Sequence, residues 1–356
     1  MLLGVATSAW GAAHMRRRLT RWEAQFELRG TIMRSSMCLL TERTGRLSVA
    51  SAPWNACREW SITMVRRLLA APVNNETNRS HGTTPSSPLD RVGQENFSVA
   101  TRLLPPSFRR HLLAIYVYAR LVDDIGDEAI GNRITLLDKV SRDLDHIYDG
   151  HEPRHGMLSD LAATIRACHI PREPLDNLIA ANRQDQFVHR YATYDELVSY
   201  CELSANPVGQ LVLHVFGVAT PDRIALSDKV CTALQILEHC QDVAEDLARG
   251  RVYVPAEDLD RFGVSDADLK APTASTPVRA LLAFQTQRAL RLLDDGVPLV
   301  GRLDGWARLA VAGYLAGGFA TAKAIADADY DVLTDTPRPS KADTLRHWIP
   351  LLRGRR

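Results

Sequence analysis

From residue 91 onward apolar positions recur at three- and four-residue intervals, and nowhere at the alternating interval of a strand. The spacing predicts a buried helix over 108–125, started by Pro105-Pro106-Ser107. Amphipathic helices follow over 133–148, 158–168 and 174–188, each bounded by Gly, Pro or a His-Gly break. Two pieces, 194–204 and 208–218, meet at Asn206-Pro207, where a proline without an amide hydrogen predicts a kink. The longest helix spans 222–248 and stops at Arg249-Gly250. Two more cover 277–293 and 306–328. The second carries the small residues Ala312, Gly313, Ala316, Gly317, Gly318 and Ala320, which permit close helix approach. An all-α helical bundle follows.

Residues 1–90 have a different texture. They show no sustained period, hold four of the six tryptophans, and carry many more arginines than acids. The apolar start Met1-Leu2-Leu3 precedes the arginines, the reverse of a secretory signal, and no run is read as long enough to span a bilayer. This segment reads as an N-terminal extension, disordered or translated from a start placed too far upstream; its Arg-rich composition also resembles an organelle transit peptide. Residues 74–88 read as a linker, and 91–356 as one domain.

The chain has 356 residues, 46% of them hydrophobic, which suffices for a large core. A formal net charge of +1 gives no global field for nucleic acid, so any charged chemistry is local. Six scattered cysteines without C-x-x-C spacing argue against a zinc site or a disulfide framework. They suit a reducing compartment, and the protein is expected to be cytoplasmic.

Two acidic clusters stand out against this background. Asp123 and Asp127 lie one turn apart at the end of the apolar 108–125 helix, with Arg120 a turn earlier. Like charges so placed destabilise an isolated helix by about 0.2–0.5 kcal/mol. Glu238, Asp242 and Asp246 repeat the spacing on the longest helix, with Gln235 a turn before Glu238. Spacing alone does not decide, because Asp145/Asp149, Asp327/Asp331 and Asp331/Asp335 share it beside helix-ending residues, where carboxylates are solvated. The apolar setting separates the two clusters: an unpaired buried carboxylate costs several kcal/mol, so these must meet water or a metal. Two facing carboxylate pairs suit Mg²⁺, which keeps waters and takes phosphate oxygens. Arg120, Arg251 and Arg249 could hold the phosphate, and Tyr116, Tyr200, Tyr253 and Phe216 could line an apolar space for a carbocation left by a departing diphosphate. For each aromatic, plain core packing is the competing reading.

Arg120-x-x-Asp123-Asp124-x-x-Asp127-Glu128, then Tyr200-Cys201 and Pro207-Val208-Gly209, then Gln235-x-x-x-His239-x-x-Asp242-x-x-x-Asp246 with Gly250-Arg251-Val252-Tyr253-Val254-Pro255, resemble the squalene/phytoene synthase family over roughly 93–345. The resemblance implies an isoprenoid synthase fold, an all-α bundle in which two aspartate-rich helices face each other across a central cavity and bind Mg²⁺-diphosphate. It makes Asp123, Asp127, Asp242 and Asp246 metal ligands, while Glu238, one turn before Asp242, is a further candidate ligand from its own position. It gives Arg120 and Arg251 to the diphosphate, and Tyr116, Tyr200, Gln235 and Tyr253 to the reaction site. Glu95-Asn96-Phe97-Ser98 and Leu103-Leu104-Pro105 look like the bacterial hopanoid-pathway branch of HpnC type, which adds Asn96 and Ser98 to the diphosphate contacts.

That branch implies a hydroxysqualene synthase: presqualene diphosphate ionises, rearranges and captures water, with no NADPH expected. Its pathway partners would be a presqualene diphosphate synthase and a hydroxysqualene reductase. Asparagine is usual in this branch where Glu238 stands. A transferase joining two farnesyl or geranylgeranyl diphosphates, and a non-catalytic helical scaffold, are the other readings. The tail 345–356 is basic with an apolar centre. It suits peripheral contact with the inner membrane surface, though a frayed, solvated terminus is the commoner case. Arg338 and Lys341 are further candidates to close over the diphosphate.

Overall fold

The computed structural model describes residues 104–354, apart from His155 and the Met157 side chain. The readings of 1–90, Asn96 and Ser98 lie outside the described residues. The first helix, α1 (Pro106–Asp127), is followed by α2 (Arg133–Tyr148), α3 (Ser159–Cys168), α4 (Glu173–Gln184), α5 (Tyr194–Ser204) and α6 (Asn206–Val215). Next come α7 (Pro221–Gln241), α8 (Val243–Ala248), α9 (Ala256–Phe262), α10 (Asp266–Leu269), α11 (Thr276–Gly296), α12 (Pro298–Gly301), α13 (Gly305–Asp327) and α14 (Lys341–Arg353). No strand occurs among the described residues; one isolated parallel bridge joins Arg190 and Val252.

Three boundaries differ from expectation for local reasons. Pro207 does not kink a helix; it sits in the first turn of α6, where its missing amide hydrogen has no partner to lose. That helix ends early, with Gly217 at φ +67°. The long 222–248 helix breaks at Asp242, which adopts φ −102°, ψ 13° between α7 and α8. The short helices α9, α10 and α12 were not anticipated, since four to seven residues carry too little periodicity to read.

The core has two parts. Leu112 and Val122 of α1 pack with Leu137 of α2, Leu161 of α3, Leu175 of α4 and Leu211 of α6. Ile236 of α7 packs with Leu281 of α11 and Leu315 of α13, together with Tyr191, Tyr200 and Tyr253. In α13 the small residues do what their size predicts: a Cβ on Gly318 would lie 2.8 Å from Leu234 and 3.0 Å from Leu293. One expectation needs correcting here. By length and composition α13 could cross a membrane, but most of its apolar window is buried inside the bundle, as in the core helix of a globular protein.

Candidate active site

α1 brings its carboxylates to the site because its end is capped by its neighbours. Arg133 donates to the carbonyls of Gly126, Asp127 and Ala129 at 2.8–3.2 Å, and Gln186 donates to the Gly126 carbonyl at 3.0 Å. With those orphan acceptors satisfied, the side chains turn to α4 and to the segment after α8. Asn182 Nδ2 donates to Asp123 at 3.0 Å and Arg251 Nη1 to Asp127 at 2.9 Å. Arg120 pairs with Asp124 at 2.7 Å, one turn on. Gly126 makes the Asn182 contact possible, since a Cβ there would fall 2.1 Å from Asn182 Oδ1.

The second cluster sits on the α7–α8 break. Asp246 is buried and faces His239, with Oδ2 3.7 Å from Nδ1. Burial, with the adjacent Asp246 and Glu245 carboxylates, pushes the Asp242 carboxyl up to about 6, opposed by Arg249 and Arg338. Gln241 Nε2 donates to the Pro337 carbonyl, which brings the chain before α14 against this cluster.

Arg251 stitches the two clusters together. Its amide donates to the Asp246 carbonyl at 2.9 Å while its guanidinium holds Asp127. The segment it begins is pinned by Val252 N–H to His189 O and Ala256 N–H to Tyr191 O, both 2.9 Å. That pairing stacks Tyr253 among Tyr191, Tyr200 and His239; the His239 and Tyr253 rings lie 3.8 Å apart and 10° from parallel. Gln235 Nε2 reaches His239 Nε2 at 3.2 Å. Burial holds the His239 imidazole below its ordinary pKa, so neutral His239 accepts from Gln235 and turns its Nδ1–H toward Asp246.

Sequence reasoning missed Asp185, Asn182, Tyr191 and the packing role of His239. Asp185 is buried, its Oδ2 accepts from Tyr200 at 2.9 Å, and its Oδ1 has no hydrogen-bond partner among the described residues. Burial pushes this carboxyl up to about 6, against the pull of Arg251 and the Tyr200 hydrogen bond. Asn182, Asp185 and Gln186 follow at i, i+3 and i+4, so they share one helix face, but with a single carboxylate among them they carry no charge pattern to read.

Other expected residues fall less centrally. Tyr116 lies half-buried on α1, one turn before Arg120, and Glu238 half-buried one turn before Asp242. Phe216 packs on Phe108 at 5.0 Å, so core packing wins there. Arg249 is exposed and pairs with Glu245, while Lys341 stays exposed at the start of α14. Two of the decoy acids behave as solvated pairs, Asp145 with Arg172 and Asp327 with Lys323, whereas Asp331 is largely enclosed, accepting from the Ala274 and Thr334 amides while paired with Arg279.

Among the described residues no three His, Cys, Asp or Glu side chains come together as a group that could hold a metal ion, so Asp123, Asp127, Asp242, Asp246 and Glu238 do not form the ligand set expected of them. What the site offers is open: paired carboxylates, excess negative charge at Asp242 and an unmet acceptor on Asp185. This donor set fits a hard divalent cation whose shell is completed by water and phosphate oxygens.

Comparison with known proteins identifies the family. Residues 91–343 match the family model described as squalene/phytoene synthase. The 15-cis-phytoene synthase of Synechocystis is 32% identical over 229 residues, 60% of this chain and 68% of its own. The hydroxysqualene synthase of Zymomonas mobilis is 33% identical over 203 residues, 56% of this chain and 67% of its own. The crystal structure of squalene synthase HpnC from Alicyclobacillus acidocaldarius matches with a TM-score of 0.64 at 36% identity, covering 78% of this chain and 97% of that one. The helices form an isoprenoid synthase fold, and the chain belongs to the squalene/phytoene synthase family as an isoprenoid synthase acting on prenyl diphosphates.

Proposed function

We propose that residues 91–356 form a hydroxysqualene synthase that converts presqualene diphosphate to hydroxysqualene. The observation that supports this reading is Arg251, whose guanidinium pairs with Asp127 while its amide bonds the Asp246 carbonyl, linking the two acidic clusters. The similarity to squalene synthase HpnC along nearly all of that chain supports the choice of product.

In this reading Asp123, Asp127, Asp242 and Asp246 hold Mg²⁺, with Glu238 beside them. Bound there, Mg²⁺ supplies Lewis-acid charge to the leaving diphosphate. Arg120 and Arg251 exchange their present carboxylate partners for diphosphate oxygens, and Asn96 and Ser98 add contacts from the segment before α1. The carbon–oxygen bond breaks with its electron pair going to diphosphate. The cyclopropylcarbinyl cation rearranges against Tyr116, Tyr200 and Tyr253, whose ring faces stabilise positive charge, with the Gln235 amide beside them. Water then forms the new carbon–oxygen bond and releases a proton; Asp185, poised near pH 6 against Tyr200, is placed to take it.

A second reading, head-to-head condensation to presqualene diphosphate or phytoene, is favoured by the equal identity to phytoene synthases. Mass spectrometry of products formed with Mg²⁺ from presqualene, farnesyl or geranylgeranyl diphosphate separates them. Hydroxysqualene from presqualene diphosphate, with farnesyl diphosphate untouched, is the expected result. Presqualene diphosphate from farnesyl diphosphate, or phytoene from geranylgeranyl diphosphate, would overturn it.

A further inference from the structure

α14 has two unlike faces. The inner one is docked: Trp348 Nε1 donates to the Leu309 carbonyl at 3.1 Å, His347 stacks on Phe319 at 5.7 Å, and Leu351 is buried. Arg308 Nη2 donates to the Leu352 carbonyl at 2.8 Å, which fixes the end of α14 against the first turns of α13. The helix is built to hold its place, with the Ser340 side chain accepting from the Asp343 amide at its start and Gly354 at φ +65° after its end.

The outer face is a stripe at four-residue intervals, Lys341, Leu345, Ile349 and Arg353, with Arg346 beside it, and every one of these residues is exposed. Leu345 is 49% exposed and Ile349 39%, two of the five large apolar side chains so exposed among the described residues. A third, Trp306, is 41% exposed on the first turn of α13, at the end of the pair where Arg353 stands. The sequence of α14 holds three cations, Lys341, Arg346 and Arg353, against the single carboxylate of Asp343, which pairs with Arg346.

We infer that this stripe is a docking face for an anionic phospholipid surface. Charge selects the occupant. A second copy of the same face would bring like charges together, and residues 1–90 are themselves arginine-rich, so neither complements it. The relief is that of an interfacial helix: a ridge of two aliphatic side chains, too shallow for a peptide groove, with basic residues placed to snorkel to headgroup phosphates. Such a surface is also where the prenyl chains this family handles are dissolved.

The test is co-sedimentation of the full chain with vesicles of phosphatidylcholine alone, or of equal parts phosphatidylcholine and phosphatidylglycerol. Binding to the anionic vesicles only, weakened by salt, is expected. R346Q/R353Q should lower partitioning about thirtyfold, on roughly a fivefold factor per basic residue. L345E/I349E should abolish binding while keeping the thermal midpoint and turnover of detergent-dispersed substrate. Vesicle binding unchanged in both variants would overturn the proposal. So would a dimer by light scattering that L345E/I349E dissociates without any vesicle binding, or capture by an acidic protein alone.

Discussion

The two acidic clusters share a spacing and differ in how the protein treats their charge. Asp123, Asp124 and Asp127 each face a donor supplied by the fold, from Asn182, Arg120 and Arg251. The cluster at Asp242 and Asp246 sits on a helix break, and its mutual repulsion is what raises Asp242 beyond the effect of burial. One wall is preassembled and near neutral; the other is held in electrostatic debt that a cation relieves. On the proposed function, cation binding would be driven chiefly from the second cluster and positioned by the first.

Asparagine at either wall breaks this comparison most sharply. Asp127→Asn and Asp246→Asn should each lower kcat about a hundred- to a thousandfold. Their effects on the metal-free protein should have opposite signs. Asp127→Asn takes a partner from buried Arg251 and should cost about 2 kcal/mol, below the buried-pair range because Asp127 keeps 23% exposure. Asp246→Asn removes repulsion on Asp242 and should leave the thermal midpoint equal or higher. Equal destabilisation by both would erase the distinction.

Gly126→Ala comes next. The added methyl would displace Asn182 and with it the donor on Asp123, costing about 1–3 kcal/mol by overpacking, readable in urea unfolding. Titration gives a smaller and signed effect. Asp242 and Asp185 have folded pKa values of about 6, above the ordinary 3.8. The folded state thus holds extra protons between those values, and stability from these groups is present below pH 3.8 and lost as pH rises through 6. Relative to the parent, Asp242→Asn should gain stability from pH 4 to pH 7 without metal; a flat difference would contradict the raised pKa. Glu238→Asn should have the least effect, keeping or raising turnover. Abolished turnover would make Glu238 an essential ligand.

The long helices were legible because each buries one stripe over several turns. α2 and α5 run over the residues that periodicity predicts, Arg133–Tyr148 and Tyr194–Ser204. The break at Asp242 was not, because apolar spacing continues through it and the interruption serves the carboxylates rather than the core. Within the site, residues at helical spacing on apolar helices could be read. Asp185 lies just beyond α4, and its importance comes from Tyr200 and Arg251, neighbours that only the fold supplies. Arg120 pairs with Asp124, a residue that the spacing of Asp123 and Asp127 did not single out.

Thermal unfolding with Mg²⁺ and pyrophosphate, separately and together, asks most directly whether the two walls form one site. Ligand that binds only the folded state raises the midpoint by mass action, so the pair together should give a shift larger than the two single shifts added, lost in Asp246→Asn and Arg251→Ala. No shift at saturating concentrations of both would contradict a shared Mg²⁺-diphosphate site and leave the acidic clusters as solvated faces of a scaffold.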